Sequence, residues 1–418
     1  MDFKDKIWKY LPLAEAVEIC DSMRKPINNT ERQKRISGKS QDQLFPYYGA
    51  TGQVGFIDDF ITDGEFVLLG EDGAPFLDSF APKAYIITGK TWVNNHAHIL
   101  RSKLNNKFLC YYLNSFNYKG YVSGTTRLKL TQGEMKKILI PVPPLPEQER
   151  IVAKIEELFS QLDAAVAELK SVKEKLAIYR QAVLKEAFEG KISSRNKYDY
   201  VLDNQFRKIS SSELEKLSPI PEHWRYVYLS DLGELARGKS KHRPRNDSRL
   251  FENGKYPFFQ TGDVKSAQKE LIECEKKYGD FGLAQSKLWS KGTLCITIAA
   301  NIAETCFLGV DACFPDSIVG FTPNEAIVDK AYVRWFIEIS KAQLWAFAPA
   351  TAQKNINLTT LENLIVPYCS LKEQKIIVQD IEEKISVCNN IEQTVDTALQ
   401  QAAALRQSIL KQAFEGNL

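Results

Sequence analysis

A heptad seam that occurs twice limits this chain more than any other feature of its 418 residues. From Ile151 the apolar positions alternate steps of four and three: Ile151, Ile155, Leu158, Leu162, Ala165, Leu169, Val172, Leu176, Tyr179 and Val183. Glu and Lys fill the flanks. A helix lying on a globular core is the plain alternative, but such helices rarely keep so narrow a stripe over this length, and the pattern is that of a coiled coil. The second seam runs through Ile377, Ile381, Cys388, Ile391, Val395, Ala398, Ala402, Leu405 and Ile409, and slips once, where Lys384 holds the expected position and Ile385 follows. Prolines precede each helix, and Gly190 and Gly416 stop them.

The likeness reaches beyond the seams. Leu139–Ile192 matches Ile365–Leu418 without a gap, from Pro141, Leu145, Glu147 and Gln148 (answered by Pro367, Leu371, Glu373 and Gln374) to Ala187-Phe188-Glu189-Gly190 (answered by Ala413-Phe414-Glu415-Gly416). A repeat of about 220 residues is far longer than a solenoid unit, so the chain is built of two halves. Each helix leaves one half before the chain passes through the other, so the seams are expected to pair antiparallel. Some 40 residues at about 1.5 Å each make a rod of roughly 60 Å.

The boundaries that follow are a first module at 1–144, a helical spacer at 145–192, a linker at 193–218, a second module at 219–370 and a C-terminal spacer at 371–418. Trp8, Tyr10 and Leu13 match Trp224, Tyr226 and Leu229 at one offset, and Phe45-Pro46-Tyr47-Tyr48 parallels Tyr256-Pro257-Phe258-Phe259. Short β-rich runs such as Phe66–Leu69 and Leu294–Ile298 alternate with Gly and Pro, and helices are predicted at Asn106–Ser115 and Lys330–Lys341. The fold class is mixed α/β (α+β): two modules, each mainly on a curved sheet, separated by a long antiparallel two-helix coiled coil with internal pseudo-twofold symmetry.

No run of about 18 apolar residues is present, so a membrane span is not expected, and the charged start at Asp2-Phe3-Lys4 is unlike a secretory signal. Eight cysteines lack paired spacing and sit mostly in apolar runs, which fits reduced, buried thiols in a cytoplasmic protein. A net charge of +3 points to no particular partner by itself.

Catalytic motifs are scarce. Gly233-Glu234-Leu235-Ala236-Arg237-Gly238-Lys239-Ser240 fits the phosphate-loop pattern G-x-x-x-x-G-K-S, but the residues after it are polar and broken by Pro244, where a phosphate cradle needs a helix. No methyltransferase motif is evident, and a nuclease carboxylate cluster is not excluded by motif. His96 and His98, read as sharing a strand, lack accompanying metal-ligand motifs, and packing or hydrogen bonding explains them better. No catalytic residue and no metal ligand is assigned.

What remains is binding. In the first module Arg24, Lys25, Arg32, Lys34, Arg35 and Lys39 precede Tyr47, Tyr48 and Thr51, and Arg127 and Lys129 lie before the rod. In the second, Lys239, Lys241, His242, Arg243, Arg245 and Arg249 precede Gln260 and Thr261, with Gln353, Lys354 and Asn355 before its rod. Lys and Arg neutralise phosphates, while Arg, Asn and Gln read base edges. A single basic loop is usually just solvated; its recurrence at corresponding places favours DNA.

Together these residues resemble the specificity subunit of type I restriction–modification enzymes. The likeness covers essentially the whole chain: the twin P-x-x-x-L-x-E-Q helix starts, the twin A-F-E-G ends, Tyr47-Tyr48-Gly49-Ala50-Thr51-Gly52, Gly64 through Gly73, and Gly124-Thr125-Thr126-Arg127. The stretch from Leu232 to Lys239 also looks like the usual opening of such a domain. The resemblance implies a non-catalytic DNA-binding subunit with two target-recognition domains, each reading one half of an asymmetric bipartite site. It implies helices that dock two modification subunits and set the spacer, and restriction subunits that translocate and cleave. The chain itself would bind no cofactor; S-adenosylmethionine, ATP and Mg would belong to the partners. A roughly 60 Å rod spans under about 20 base pairs. The second half departs from the pattern at Thr351–Asn355 and Tyr368-Cys369-Ser370. A coiled-coil scaffold without a DNA role, and a fused methyltransferase or nuclease, are the competing readings.

Overall fold

The structure is a computed structural model that describes residues 8–192, 206–267, 270–347 and 355–418. The chain divides into two compact units, Met1–Val172 with Gln393–Leu418, and Lys173–Glu392.

In the first unit the elements run β1 Lys9–Pro12, β2 Val17–Ile19, α1 Asn29–Ile36, β3 Phe45–Gly49, β4 Gly52–Ile57, β5 Glu65–Gly70, β6 Ala84–Thr88, β7 Trp92–Val93, β8 Ala97–Ser102, α2 Asn106–Ser115 and β9 Leu139–Val142, and the helix α3 Leu145–Phe188 begins here. One antiparallel sheet has the order β2-β8-β5-β6, a mixed sheet has the order β4-β3-β7 with β3 and β7 parallel, and β1 pairs with β9. Central β5 is covered on both faces, which is why Phe66–Leu69 is a continuous apolar run rather than an alternating one. Helix α2 spans the residues expected of it. Its N-terminus is capped by Asn105, whose side chain accepts from the Phe108 N–H.

The second unit runs β10 Arg225–Tyr228, β11 Gly233–Arg237, β12 Tyr256–Pro257, β13 Glu270–Leu271, β14 Lys277–Tyr278, β15 Leu294–Thr297, β16 Thr305–Leu308, β17 Ile318–Pro323, α4 Lys330–Phe347 and β18 Ile365–Tyr368, and the helix α5 Leu371–Phe414 begins here. The main sheet has the order β11-β17-β15-β16-β13, with β12-β14 and β10-β18 as separate pairs. In place of one curved sheet, each unit divides its strands among a larger sheet and shorter pairings. Helix α4 runs six residues past the expected Lys341.

The landmarks shared by the halves take equivalent places. Tyr10 lies opposite Pro141 on β1 and β9, as Tyr226 lies opposite Pro367 on β10 and β18. The repeated Gln closes the same joint in both. Buried Gln148 accepts from the Asn105 N–H at 2.8 Å and donates to the Pro143 carbonyl at 2.8 Å. Buried Gln374 accepts from the Asp329 N–H at 2.9 Å and donates to the Cys369 carbonyl at 2.8 Å. One amide thus ties the first turn of each long helix to the loop ahead of α2 or α4, satisfying backbone groups that burial would otherwise strand.

Both units pair the long helices antiparallel. In the first, Ile151, Ile155 and Phe159 of α3 pack with Ile409, Leu410 and Ala413 of α5, and Arg406 bonds Asp163 at 2.6 Å. In the second, Val183, Leu184 and Ala187 of α3 share a core with Ile377, Val378 and Ile381 of α5, and Arg180 bonds Glu392 at 2.7 Å. Of the expected seam, Ile155, Ile381, Cys388 and Val395 are buried and Leu158, Leu162, Leu169 and Leu176 partly so. Ile391 and Leu405 are not in it; they are 40% and 51% exposed. The buried line keeps one position of each heptad, with Ile381, Cys388, Val395, Ala402 and Ile409 spaced seven residues apart, while Ile391 and Leu405 hold the other heptad position and stay exposed. Ile385 takes the buried place beside Lys384. No described helix is long and apolar enough to cross a membrane. The eight cysteines are free, and burial pushes the Cys110 thiol up to about 12.

Candidate nucleic-acid interface

In the first unit the basic residues gather on acidic anchors, and two groups result. Helix α1, capped by the Asn28 side chain on the Glu31 N–H, delivers Arg35 and Lys39 to Asp58 at 2.6 and 2.5 Å. Burial would raise Asp58, but the bonds from Lys39 and Arg35 hold its carboxyl below the usual range. Arg32 lies over the Tyr47 ring, 5.1 Å from its centroid. Tyr47 itself is 5% exposed and belongs to a core with Ile57 and Trp92. It is therefore no DNA contact, because strand alternation turns it inward. Tyr48 is half-buried and stacks on Tyr85 at 5.8 Å. Lys25, Lys34 and Thr51 are exposed.

The second group surrounds Glu71 and Asp72, just past the end of β5. Arg24 bonds Glu71 and lies 3.2 Å from Asp21, and Lys129 reaches Glu71 at 3.3 Å. Arg127 donates from Nε to Asp72 at 2.7 Å, and His96 Nδ1 stands 3.5 Å from the same carboxylate. Of these, Asp72, His96 and Arg127 line a cleft of about 640 Å³, which Gly49, Thr51 and Asn94 also wall.

Beneath it, buried His98 contacts Asp21 at 2.7 Å through Nδ1 and donates from Nε2 to the Leu130 carbonyl at 3.1 Å. His96 is not on that strand; β8 begins at Ala97. Asp21, Glu71 and His98 converge closely enough to suggest a metal site. The donor set does not fit one, because the Arg24 guanidinium already occupies the cationic position between the two carboxylates. Burial would raise Asp21 and Glu71, yet His98 with the Ile99 N–H, and Arg24 with Lys129, carry both below the ordinary carboxylate values.

In the second unit the apparent phosphate loop is strand β11, paired antiparallel with β17 from Gly233–Pro323 to Arg237–Val319. Gly238 is glycine because a Cβ would come within 2.3 Å of the Pro315 carbonyl oxygen. Residues 239–247 form no helix, so no phosphate cradle exists there. The Lys239 and Lys241 amides are fixed by the Phe314 and Gln285 carbonyls while their side chains stay exposed. Arg243 folds back onto the carbonyls of Ser240 and His242, at 2.7 and 2.8 Å. His242 and Arg249 both bond Asp247, each at 2.7 Å, and these bonds hold Asp247 well below the usual carboxylate range. Arg245 pairs with Asp316 at 2.8 Å.

A cleft of about 220 Å³ lies here, walled by Ser240, Arg245, Gln260, Thr261, Tyr278 and Ser317. Gln260 is exposed at the start of the short helix Thr261–Ser266. The structure thus brings Arg245, Gln260 and Thr261 together. Asn355 is exposed and pairs through its backbone with Ala299. Gln353 and Lys354 lie outside the described residues.

Both clefts are flanked by cations with an aspartate beside them. Asp58, Asp72 and Asp247 escaped the sequence reading because acidic residues repel DNA and signal nothing alone. The one available hint was Glu71-Asp72-Gly73 directly after an apolar strand. The arrangement offers directional donors on exposed loops, with no nucleophile or metal centre assembled among the described residues.

Residues 6–174 and 221–401 match the family described as type I restriction modification DNA specificity domain. A Haemophilus influenzae sequence described as a type I restriction enzyme specificity subunit is 28% identical over 405 residues, covering 94% of this chain and 91% of its own. The EcoDI specificity subunit of Escherichia coli is 25% identical over 429 residues, covering 98% and 88%. Among solved structures, a chain from work on complex assembly and conformational transition of the type I restriction–modification system superposes with a TM-score of 0.71 at 17% identity, covering 98% of each chain. The HsdS subunit from Thermoanaerobacter tengcongensis gives 0.57 at 18%, covering 98% and 97%.

A duplicated α/β module, each copy followed by a long helix, is the fold of a type I DNA specificity protein. The chain belongs to the type I restriction–modification specificity family. Its part is DNA specificity within a multisubunit system, and catalysis falls to other subunits.

Proposed function

We propose that each unit reads one half of an asymmetric, bipartite double-stranded DNA site, the first through the cleft at Arg127 and the second through the cleft at Arg245 and Gln260. The observation that carries this reading is one scaffold with two different clefts. The Gln148 and Gln374 joints are the same, while one cleft is lined by Asn94, His96 and Arg127 and the other by Ser240, Gln260 and Tyr278. Equal frames with unequal linings suit a ligand with two unequal halves.

The long helices set the unread spacing and dock two modification subunits. Exposed Ile178 and Val387, at 70% and 57%, give the helices apolar surface for such contacts. S-adenosylmethionine is bound on the modification subunits, and ATP and Mg on restriction subunits, in the cytoplasm; this chain holds none of them. Sequencing of methylated adenines in cells expressing the chain with its modification partner tests the reading. A two-part motif with a fixed gap is expected, and a methylome without one overturns it.

A further inference from the structure

The geometry points to Arg127 as a guanine-reading side chain for the first unit's half-site, with Asp72 as the residue that positions it. This rests on the reading of the cleft as a DNA surface.

Arg127 is exposed but not loose. Its Nε is held by Asp72 at 2.7 Å, its Nη2 lies 3.5 Å from His96 Nδ1, and its stem lies along Gly73, where a Cβ would come within 3.1 Å of Nε. The loop that carries it is closed by paired backbone bonds between Ser123 and Lys129, at 3.0 and 2.8 Å. It is laid against the end of β5 by Gly73 N–H to the Leu128 carbonyl at 2.9 Å and Leu130 N–H to the Glu71 carbonyl at 2.8 Å. Gly124, at φ +102°, lets the loop turn so tightly that a Cβ there would meet the Arg127 carbonyl oxygen at 2.4 Å.

Charge decides what such an arginine does. A phosphate contact needs net positive charge and tolerates a flexible lysine. The Arg127–Asp72 pair carries almost no net charge, so it gives little phosphate attraction and little counterion release. It keeps direction: with Nε on Asp72 and Nη2 beside His96 Nδ1, the guanidinium plane is fixed, and Nη1–H with the second Nη2–H remains as a fork at its tip. Two parallel N–H donors match the O6 and N7 acceptors of guanine in the major groove, and a fork held in advance loses less entropy on binding.

The experiment compares the wild-type chain with Arg127→Ala, Arg127→Lys and Asp72→Asn, each full length and assembled with its modification partner. Methylome motifs and duplex binding over a salt series are measured. Arg127→Ala and Arg127→Lys should both relax one guanine position, confined to one half-site, losing about tenfold or more in discrimination there. The salt slope should stay that of wild type. Asp72→Asn should relax the same position partially. The lysine and asparagine variants keep bulk and answer the question if the alanine variant fails to fold. Lysine restoring the wild-type motif, or uniform weakening with a shallower salt slope, would mean a phosphate contact and overturn the inference. An unchanged motif in all variants overturns it too, whereas a wild-type methylome lacking any bipartite motif overturns the underlying reading instead.

Discussion

Phe414 meets Phe108 edge to face, their ring centroids 5.3 Å apart and their planes at 73°. The same Phe414 meets Tyr112 one turn further along α2 at 5.1 Å. In the second unit Phe188 meets Tyr332 and Phe336 of α4 at 5.0 and 5.2 Å. The repeated A-F-E-G is thus a plug: the helix that ends the second half seats its Phe in the first unit, and the helix that ends the first half seats its Phe in the second. Gly190 and Gly416, at φ +74° and +78°, end the helices beside Trp224 and Trp8.

Truncating the plug should therefore destabilise the unit that receives it. Phe414→Ala is expected to cost about 3–5 kcal/mol, since it opens a cavity among aromatic rings. The loss should appear in the first unit, which a probe there (exchange of the amides of α2) would register in urea before the amides of α4 respond. Phe188→Ala should give the reverse order. A uniform loss of protection in both units with either variant would contradict this assignment.

The seams, the E-Q starts and the A-F-E-G ends were legible because each is a local pattern written twice. Their reasons were not. Gln148 and Gln374 look like solvent-facing first-turn residues until the loops ahead of α2 and α4 are brought against them. Ile391 and Leu405 fit the heptad on paper, but burial takes only its other position, the line Ile381, Cys388, Val395, Ala402 and Ile409. Tyr47 read as a surface aromatic and is core, because a neighbouring strand pairing, β3 with β7, covers it with Trp92. The clefts depend on residues far apart in the chain, Asp72 with Arg127 and Arg245 with Asp316, and tertiary pairings of that kind leave no trace in a single sequence.

Acid should weaken the first unit through Asp21 and Glu71. Their folded-state pKa values lie below the ordinary 3.8 and 4.5, so the unfolded chain takes up protons first as pH falls. Their stabilisation is fully present above about pH 5 and is lost progressively as pH drops through the ordinary values toward the folded ones. Asp21→Asn removes the partner of His98 and Arg24 and should cost about 3 kcal/mol at neutral pH, as breaking a buried charged pair does. Urea midpoints of wild type and variant should converge as pH falls below 4. Parallel curves would show that Asp21 contributes nothing through its charge.

Neighbours on α1 should differ in their effect on DNA affinity. Lys34 is exposed, whereas Arg35 is bonded to Asp58 and lies over the Trp92 ring at 5.1 Å. If this face follows the DNA backbone, Lys34→Ala should reduce the slope of log affinity against log salt by about one. Arg35→Ala should change the slope less, since its charge is already balanced, but should lower stability. Binding of the assembled complex to one duplex over a range of salt concentrations measures both, and equal slopes for the two variants would refute the distinction.

The heptad bears on the spacing between half-sites. Seven residues inserted into both α3 and α5, at the stretch around Val172 and the matching stretch around Gln393, keep the seam in register and add about 10 Å of helix. At 3.4 Å per base pair that is about three pairs. The rotations do not match: the helices regain their facing to within about 20°, while three pairs turn the DNA by nearly a third of its roughly 10-pair repeat. The lengthened protein must therefore twist its DNA or shift one module to engage both halves. The expected outcome is a motif with both half-sites unchanged, an unread gap longer by about three pairs, and weaker binding than wild type. Methylome sequencing reads the gap directly. A gap of unchanged length in a stably folded insertion variant would show that the helices do not set it.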